Sequence, residues 1–116
     1  MASGLLTGAM TRERIAALPK TDWRTQNEQF REPRLSENLK RVDWLRAVGA
    51  RHGRSPGEVA IAWVLRHPAV TAAIVGARSA KQVEQVVGAA GLRLTEEEVK
   101  EIESGTVMPQ WRRVGG

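Results

Sequence analysis

The sequence predicts an α/β fold to which this chain contributes several helices and one buried strand. Three helix starts are marked by a Ser or Thr with a Glu or Gln three residues later, at Ser55, Ser79 and Thr95. The apolar run at residues 70–75 lies between the first two of these helices and is typical of a parallel strand covered on both faces. Because one strand cannot form a sheet, this segment needs partner strands from a larger architecture.

Length and composition limit the classes of protein to which the chain can belong. It has 116 residues, of which 41% are hydrophobic and 27% charged, so a packed core is expected. A complete eight-stranded α/β barrel needs roughly 250 residues, well beyond this length. The absence of cysteine excludes disulfides, thiolate metal sites and cysteine nucleophiles, and it fits a cytoplasmic setting. No apolar run approaches the length of a membrane span, so we expect no membrane partner.

The net charge of +5 is spread along the chain, because 18 Lys and Arg residues are interspersed with 13 Asp and Glu residues. A nucleic-acid-binding surface is usually signalled by clustered basic residues. The nearest approach to a basic aromatic patch is the tail at residues 111–113, where a solvated terminus is the simpler interpretation. We therefore expect no nucleic-acid partner.

The N-terminal third is predicted to consist mostly of loops. Residues 1–10 form a glycine-bounded loop, and residues 11–18 allow a short capped helix. A long polar loop follows at residues 20–34, in which Trp23 and Phe30 are the side chains that can anchor it.

Helices dominate the remainder of the prediction. One begins near Ser36, because apolar residues recur there at three-residue steps along one face. The helix after Ser55 spans residues 56–66 and is apolar nearly all round, so it should be buried on more than one side. The helices after Ser79 and Thr95 each carry an apolar stripe. The stripes comprise Leu39, Val42, Leu45 and Val48 in the first helix, Val83, Val86 and Val87 in the third, and Val99 and Ile102 in the last.

The turn at residues 73–82 carries the clearest functional signal. It joins the apolar run to a helix whose start bears Arg78 and Lys81. Cations are unfavourable near a helix N-terminus, because the unpaired N–H groups there already carry partial positive charge. A bound phosphate would remove this conflict. Basic residues that are merely solvated are the alternative, and these residues alone leave both open.

Four sequence motifs carry a resemblance to a known family. They are Gly4-Leu-Leu-Thr-Gly8, Ala60-Ile-Ala-Trp-Val-Leu-Arg-His-Pro68, Ile74-Val-Gly-Ala-Arg-Ser-Ala-Lys-Gln82 and Leu92-Arg-Leu-Thr95. In this order and at these intervals, they resemble the C-terminal part of an aldo/keto reductase. The resemblance covers nearly the whole chain, so residues 1–116 are interpreted as part of one such domain.

The resemblance implies a (β/α)8 TIM barrel, of which this chain holds the end of strand seven, helix seven, strand eight and helix eight. Residues 1–8 would be the cofactor loop after strand seven, and residues 20–34 a variable loop. Residues 70–88 would be strand eight with the turn and helix that bind a 2′-phosphate. The family reduces small-molecule carbonyl substrates to alcohols by hydride transfer from NADPH. Phosphate sites of such barrels generally follow strands seven and eight, which agrees with this placement.

Cofactor contacts carry over from the resemblance to two segments. The first would lie along the pyrophosphate, where glycine permits close approach of the backbone. The second would meet the adenosine 2′-phosphate, for which a guanidinium offers paired donors. The residues concerned are Ser3, Gly4 and Leu5 in the first segment, and Gly76, Ala77 and Arg78 in the second. A tight turn without a ligand is the alternative for the first segment.

Two glutamines extend this predicted site along the following helix. Gln82 would be a polar neighbour of the phosphate, and it can equally serve as the capping partner of Ser79. Gln85 would reach toward the adenine, with a surface glutamine as the alternative. Val86 departs from the family pattern, in which asparagine is common at this position, and the departure weakens the adenine assignment.

The resemblance implies no catalytic residue in this chain. The family's proton donor is a tyrosine, tuned by a lysine, an aspartate and usually a histidine, all before the portion that this chain resembles. The sequence contains no tyrosine. His52 and His67 fall in segments that resemble structural parts of the family, so we interpret both as caps or surface residues. No metal-binding spacing is present either. We therefore expect the chain to be inactive alone.

Two other interpretations stay open on the sequence. The chain could be a stand-alone basic helical module that binds an acidic partner or nucleic acid. It could also be a partial barrel that persists by self-association. In the leading interpretation, its partner would be a missing N-terminal barrel segment.

Overall fold

Helices account for all the regular secondary structure in residues 2–104, the part of the chain that the structure, a computed structural model, describes. The α-helices are α1 (Arg12–Ala16), α2 (Arg34–His52), α3 (Pro56–Leu65), α4 (Ala80–Gly88) and α5 (Glu96–Ser104). Shorter 3-10 turns occupy Ala2–Thr7, Trp23–Gln26, Glu28–Phe30 and Ala89–Gly91. The basic tail at residues 111–113 lies outside the described residues.

Hydroxyl caps start the helices where the sequence predicts them. Ser55 Oγ accepts from the amide three residues on at 3.3 Å, and Ser79 Oγ does the same at 3.2 Å. Thr95 and Glu98 form a reciprocal pair, in which Thr95 Oγ1 accepts from Glu98 N at 3.2 Å and Glu98 Oε1 accepts from Thr95 N at 3.0 Å. Thr11 caps α1 in the same way. These bonds satisfy amides that have no acceptor within the helix.

The main hydrophobic core lies between α2, α3 and the C-terminal segment that includes α5. Leu45 and Val48 of the apolar stripe predicted for α2 belong to this core. Helix α2 ends where Gly53 adopts a left-handed conformation (φ 65°) and donates to Gly49 O. The buried residues of this core are Leu45, Val48, Val59, Ala62, Leu92 and Ile102.

A second cluster fixes the N-terminal turn and the long loop against the start of α2. It consists of Leu5, Met10, Phe30 and Leu35. Phe30 anchors the loop as expected, since it is 4% exposed. Trp23 does not, because it is 58% exposed. The loop is also more ordered than a plain connection, since it contains two of the 3-10 turns.

The strand expected at residues 70–75 is not formed in the structure. These residues have no assigned helix or strand, and Ile74 is fully exposed rather than buried. A β-ladder requires a neighbouring strand, and residues 2–104 supply none. The assignment of this segment as strand eight therefore stays a prediction about a larger fold.

Two helices are less buried than their sequences predict. On α3, Val59, Ile61 and Ala62 are buried, but Val64 is 41% exposed. On α4, no residue is buried, and Val83 and Val87 are 49% and 65% exposed. The apolar faces are present where the periodicity places them, but within the described residues nothing covers them completely.

Helix α5 is held to the end of α2 by a network of charged side chains. Glu98 is 4% exposed, and His52 Nε2 donates to both of its carboxylate oxygens at 2.9 Å. Nearer the surface, Arg51 donates to Glu101 at 2.8 Å. Burial raises the pKa of the Glu98 carboxyl, but the hydrogen bonds from Thr95 and His52 outweigh it and hold the pKa below its ordinary value.

The lowered pKa of Glu98 predicts a loss of stability in acid. The folded chain binds fewer protons than the unfolded chain near the ordinary pKa of 4.5, so this carboxylate stabilises the fold above that pH and stops doing so as the pH falls through the folded pKa. Glu98→Gln should lower the free energy of unfolding at neutral pH by about 1–3 kcal/mol and make its decline in acid shallower. Urea unfolding at a series of pH values from about 3 to about 7 measures both effects.

Glu97→Gln is the matched control, because Glu97 is exposed and lies in the same helical turn. If Glu98→Gln and Glu97→Gln show the same pH dependence of unfolding as the wild type, the role assigned to the buried carboxylate is wrong.

The close approach of the α2 backbone to the connection before α3 predicts that Gly49 cannot be replaced without strain. A Cβ atom on Gly49 would overlap the carbonyl oxygen of Arg54 and would lie 3.3 Å from Val59 Cγ2. Gly49→Ala should therefore destabilise the fold by about 2 kcal/mol, since a backbone atom has to move. Gly91→Ala, where a Cβ meets nothing within 4 Å, should change the denaturation midpoint little. Equal midpoints for the two variants would contradict this packing.

Candidate functional site

A cavity of about 910 Å³ lies among the N-terminal turn, the long loop, the start of α3 and the turn before α4. Its size falls within the range of pockets that hold small molecules and cofactors. Its walls are formed by Ser3, Gly4, Thr7, Ala9, Met10, Arg14, Asp22, Trp23, Arg24, Gly57, Glu58, Ile61, Val75, Gly76, Ala77, Arg78, Gln82, Gln85 and Val86.

Most of the residues predicted to bind a cofactor line this one cavity. They are Ser3, Gly4, Gly76, Ala77, Arg78, Gln82 and Gln85. The exception is Leu5, whose side chain is 2% exposed and packs in the second core cluster. Lys81, the other cation of the predicted turn, is exposed but is not part of the cavity wall. Segments that are far apart in sequence thus meet at one place.

The N-terminal side of the cavity is a turn with a left-handed backbone. Ser3 has φ 56° and Gly4 has φ 92°, values that are unfavourable for most side chains and open to glycine. Thr7 Oγ1 donates to Gly4 O at 2.6 Å and accepts from Ala9 N at 3.2 Å. From outside, Arg46 Nη2 donates to the carbonyl of the following glycine, Gly8. The turn is therefore held in place before any ligand arrives.

Another side of the cavity is formed by the start of α4. Gln82 Oε1 accepts from Arg78 N at 2.6 Å, while Gln82 N donates to Ser79 Oγ at 3.2 Å. Gln82 thus acts as a capping partner at the start of the helix. Its side chain binds the amide of Arg78, which would otherwise be available to a phosphate. The amides of Ala80 and Lys81 have no acceptor within the helix, because they belong to its first turn. Those amides remain available to an anion.

Arg78 provides the charge on this side. Its side chain is exposed, and no Asp or Glu among residues 2–104 pairs with it. A guanidinium next to free first-turn amides favours an anionic ligand. Gln85 and Val86 continue the wall along α4, so the group that lies there would meet one amide side chain and one apolar side chain.

The long loop contributes residues 22–24 to the cavity wall, of which the sequence singled out Trp23 alone, as an anchor. Asp22 accepts from Arg24 N at 2.9 Å and from Arg24 Nη2 at 2.6 Å. The hydrogen bonds from the Arg24 side chain, then from its amide, lower the pKa of Asp22 to about 2. The pair therefore stays ionised near neutral pH and presents the exposed ring of Trp23 to the cavity. The Asp-x-Arg spacing, typical of an Asx turn, is the signal available in the sequence.

Arg14 is a second residue of the cavity wall that sequence reasoning missed. It lies on α1, is exposed, and its Nη1 donates to the carbonyl oxygen of Ala9 at 3.2 Å. No carboxylate among residues 2–104 pairs with it. No motif points to Arg14, because its position depends on how the first loop folds back over the turn at Ser3 and Gly4.

The two histidines lie outside the cavity. His52 is bonded to Glu98, and His67 Nδ1 accepts from the amide of Ala69 at 3.1 Å. Their interpretation as structural or surface residues agrees with these contacts. Within residues 2–104, no three His, Asp or Glu side chains gather closely enough to hold a metal ion. None of the helices in that range combines the length and apolar character needed to cross a membrane.

Comparison with known proteins gives one consistent family. The model of the Aldo/keto reductase family matches residues 1–106. Aldo-keto reductase YhdN of Bacillus subtilis is 35% identical over 100 residues, which cover 85% of this chain and 30% of that protein. Aldo-keto reductase str7 of Strobilurus tenacellus is 34% identical over 96 residues, which cover 83% of this chain and 28% of that protein.

A third relative names a cofactor. The protein called Aldo-keto reductase yakc [NADP(+)] from Schizosaccharomyces pombe is 27% identical over 99 residues, which cover 85% of this chain and 28% of that protein. The chain therefore spans less than a third of the length of these curated relatives.

Proposed function

The chain belongs to the aldo/keto reductase family, and from this membership we propose that it is the NADP(H)-binding C-terminal part of a carbonyl reductase. The family consists of oxidoreductases whose fold is a (β/α)8 barrel. This chain would supply the last portion of such a barrel, with residues 70–75 as its eighth strand. The observation that carries the proposal is one cavity that is lined by two distant predicted segments and by Arg78, with which no carboxylate among residues 2–104 pairs.

The charge at the start of α4 suits the phosphorylated cofactor. NADPH differs from NADH by one 2′-phosphate, which carries nearly two negative charges at neutral pH. Arg78 and the free amides of the first turn of α4 would bind that group. The turn at Ser3 and Gly4 would approach the pyrophosphate through its backbone, and Gln85 would contact the adenine.

In the reaction, this chain would bind the cofactor and orient it. A bound NADPH would supply the hydride for the carbonyl carbon, and a separate acid would be needed to protonate the oxygen. No tyrosine is available in this sequence, and both histidines are engaged elsewhere in the fold. We therefore place the proton donor outside this chain and expect the chain alone to reduce no carbonyl substrate.

The uncovered apolar surfaces support a barrel that is completed by other strands. Ile74, Val83 and Val87 are exposed on the segment that would form strand eight and its helix. A second, mostly apolar groove of about 300 Å³ lies near Trp44 and Trp63. The remaining strands and helices of a barrel would cover these surfaces, and self-association is the competing way to do so.

A basic module for nucleic acid or an acidic partner gains no support from the charge distribution. Many of the arginines are paired with carboxylates on the same surface. The pairs include Arg12–Glu32, Arg24–Asp22, Arg46–Asp43, Arg51–Glu101 and Arg66–Glu103. Such pairing removes the continuous basic stripe that phosphate backbones require.

Arg78→Gln tests the proposed cofactor preference. The wild-type chain should bind NADPH more tightly than NADH, and the substitution should weaken NADPH binding by about tenfold while leaving NADH binding nearly unchanged. Titration monitored by NADPH and NADH fluorescence gives both dissociation constants. Lys81→Gln removes the same charge three residues away and off the cavity, so it should preserve the preference. A wild-type chain that binds the two nucleotides equally would refute the proposal.

A further inference from the structure

The cavity contains three guanidinium groups, and their pairing differs. Arg24 is neutralised by Asp22, with which its side chain forms hydrogen bonds of 2.6 to 3.2 Å. Arg14 and Arg78 have no carboxylate partner among residues 2–104, although both line the same cavity. Two positive centres are therefore available to a ligand, one on α1 and one in the turn before α4.

Arg14 is linked to the N-terminal turn by consecutive hydrogen bonds. Its Nη1 donates to Ala9 O at 3.2 Å, and Ala9 N donates to Thr7 Oγ1 at 3.2 Å. Thr7 Oγ1 in turn donates to Gly4 O at 2.6 Å. The guanidinium is thus tied to the loop that follows this turn, and Arg14 and Gly4 line the same cavity. Its Nε and Nη2 groups find no acceptor within residues 2–104, so these donors are free to bind a ligand.

The proposed ligand carries two separate anionic groups. A pyrophosphate lies between its two nucleosides, and the 2′-phosphate lies at the adenosine end. One guanidinium cannot bind both groups if they lie on opposite sides of a cavity of this size. An anion in a partly enclosed cavity is stabilised most by a cation that is not already neutralised by a carboxylate.

We propose that Arg14 is a second phosphate-binding residue, which contacts the pyrophosphate while Arg78 contacts the 2′-phosphate. The inference rests on the proposed function and extends it to a residue that no sequence motif marks. Arg78 then determines which dinucleotide is preferred. Arg14 contributes equally to the binding of both dinucleotides, because both contain the pyrophosphate.

The experiment compares Arg14→Gln and Arg78→Gln in the full chain with three probes, NADPH, NADH and 2′-AMP. Arg14→Gln should weaken NADPH and NADH by the same factor, about tenfold, and should leave 2′-AMP binding unchanged. Arg78→Gln should weaken NADPH and 2′-AMP and spare NADH. Arg14→Lys should retain most of the affinity of the wild type, since it keeps the positive charge.

Arg93→Gln is the matched control, because Arg93 is an exposed arginine off the cavity that donates to Ala90 O. Circular dichroism verifies that each variant is folded. Unchanged dinucleotide binding in Arg14→Gln, or an equal loss of 2′-AMP binding, would overturn the assignment of Arg14 and leave the proposed function standing. A wild-type chain that binds none of the three probes would overturn the proposed function as well.

Discussion

The packing of α3 on α2 is the contact on which the remaining structure depends. Val48 and Val59 are almost completely buried where the helices meet, and Gly49 leaves room for the Val59 side chain and for the connection just before α3. The N-terminal turn packs against both helices, α4 packs against α3, and α5 packs against α2. Each wall of the cavity is therefore attached to this helix pair, directly or through one neighbour.

The apolar surface that the described residues leave uncovered lies at residues 70–75 and on α4. Residues 70–75 have the sequence of a buried strand without a strand to pair with, and Val83 and Val87 of α4 are exposed. Hydrogen bonds between strands are formed only in a sheet, whereas helix hydrogen bonds are local. The helices of this chain can thus form without the remainder of a barrel, and its strand cannot. Because the helices form locally, they already enclose the cavity. Because the strand lacks partners, apolar side chains on residues 70–75 and on α4 stay exposed.

The sequence correctly predicts features that depend on neighbouring residues, such as helix caps. It fails to predict features that depend on distant residues, such as the burial of loop side chains. The capping hydroxyls at Ser55, Ser79 and Thr95 start helices as expected, because both partners of each bond lie within one turn. The burial of residues 70–75 fails as a prediction for this chain, because it needs partners from elsewhere. Neither the inward orientation of Leu5 nor the exposure of Trp23 follows from periodicity, since both depend on how loops fold over α2.

The candidate site shows the same division. The resemblance to a family identified the two segments, and the structure places their residues around one cavity. The contribution of Arg14 depends on the fold of the first loop and has no motif. The most direct measurement is an NMR titration of the ¹⁵N-labelled chain with NADP⁺. If one ligand occupies the cavity, the amides of Ser3, Gly4 and residues 76–82 should shift together with one dissociation constant. Shifts confined to one of these segments, or scattered over the basic surface, would contradict it.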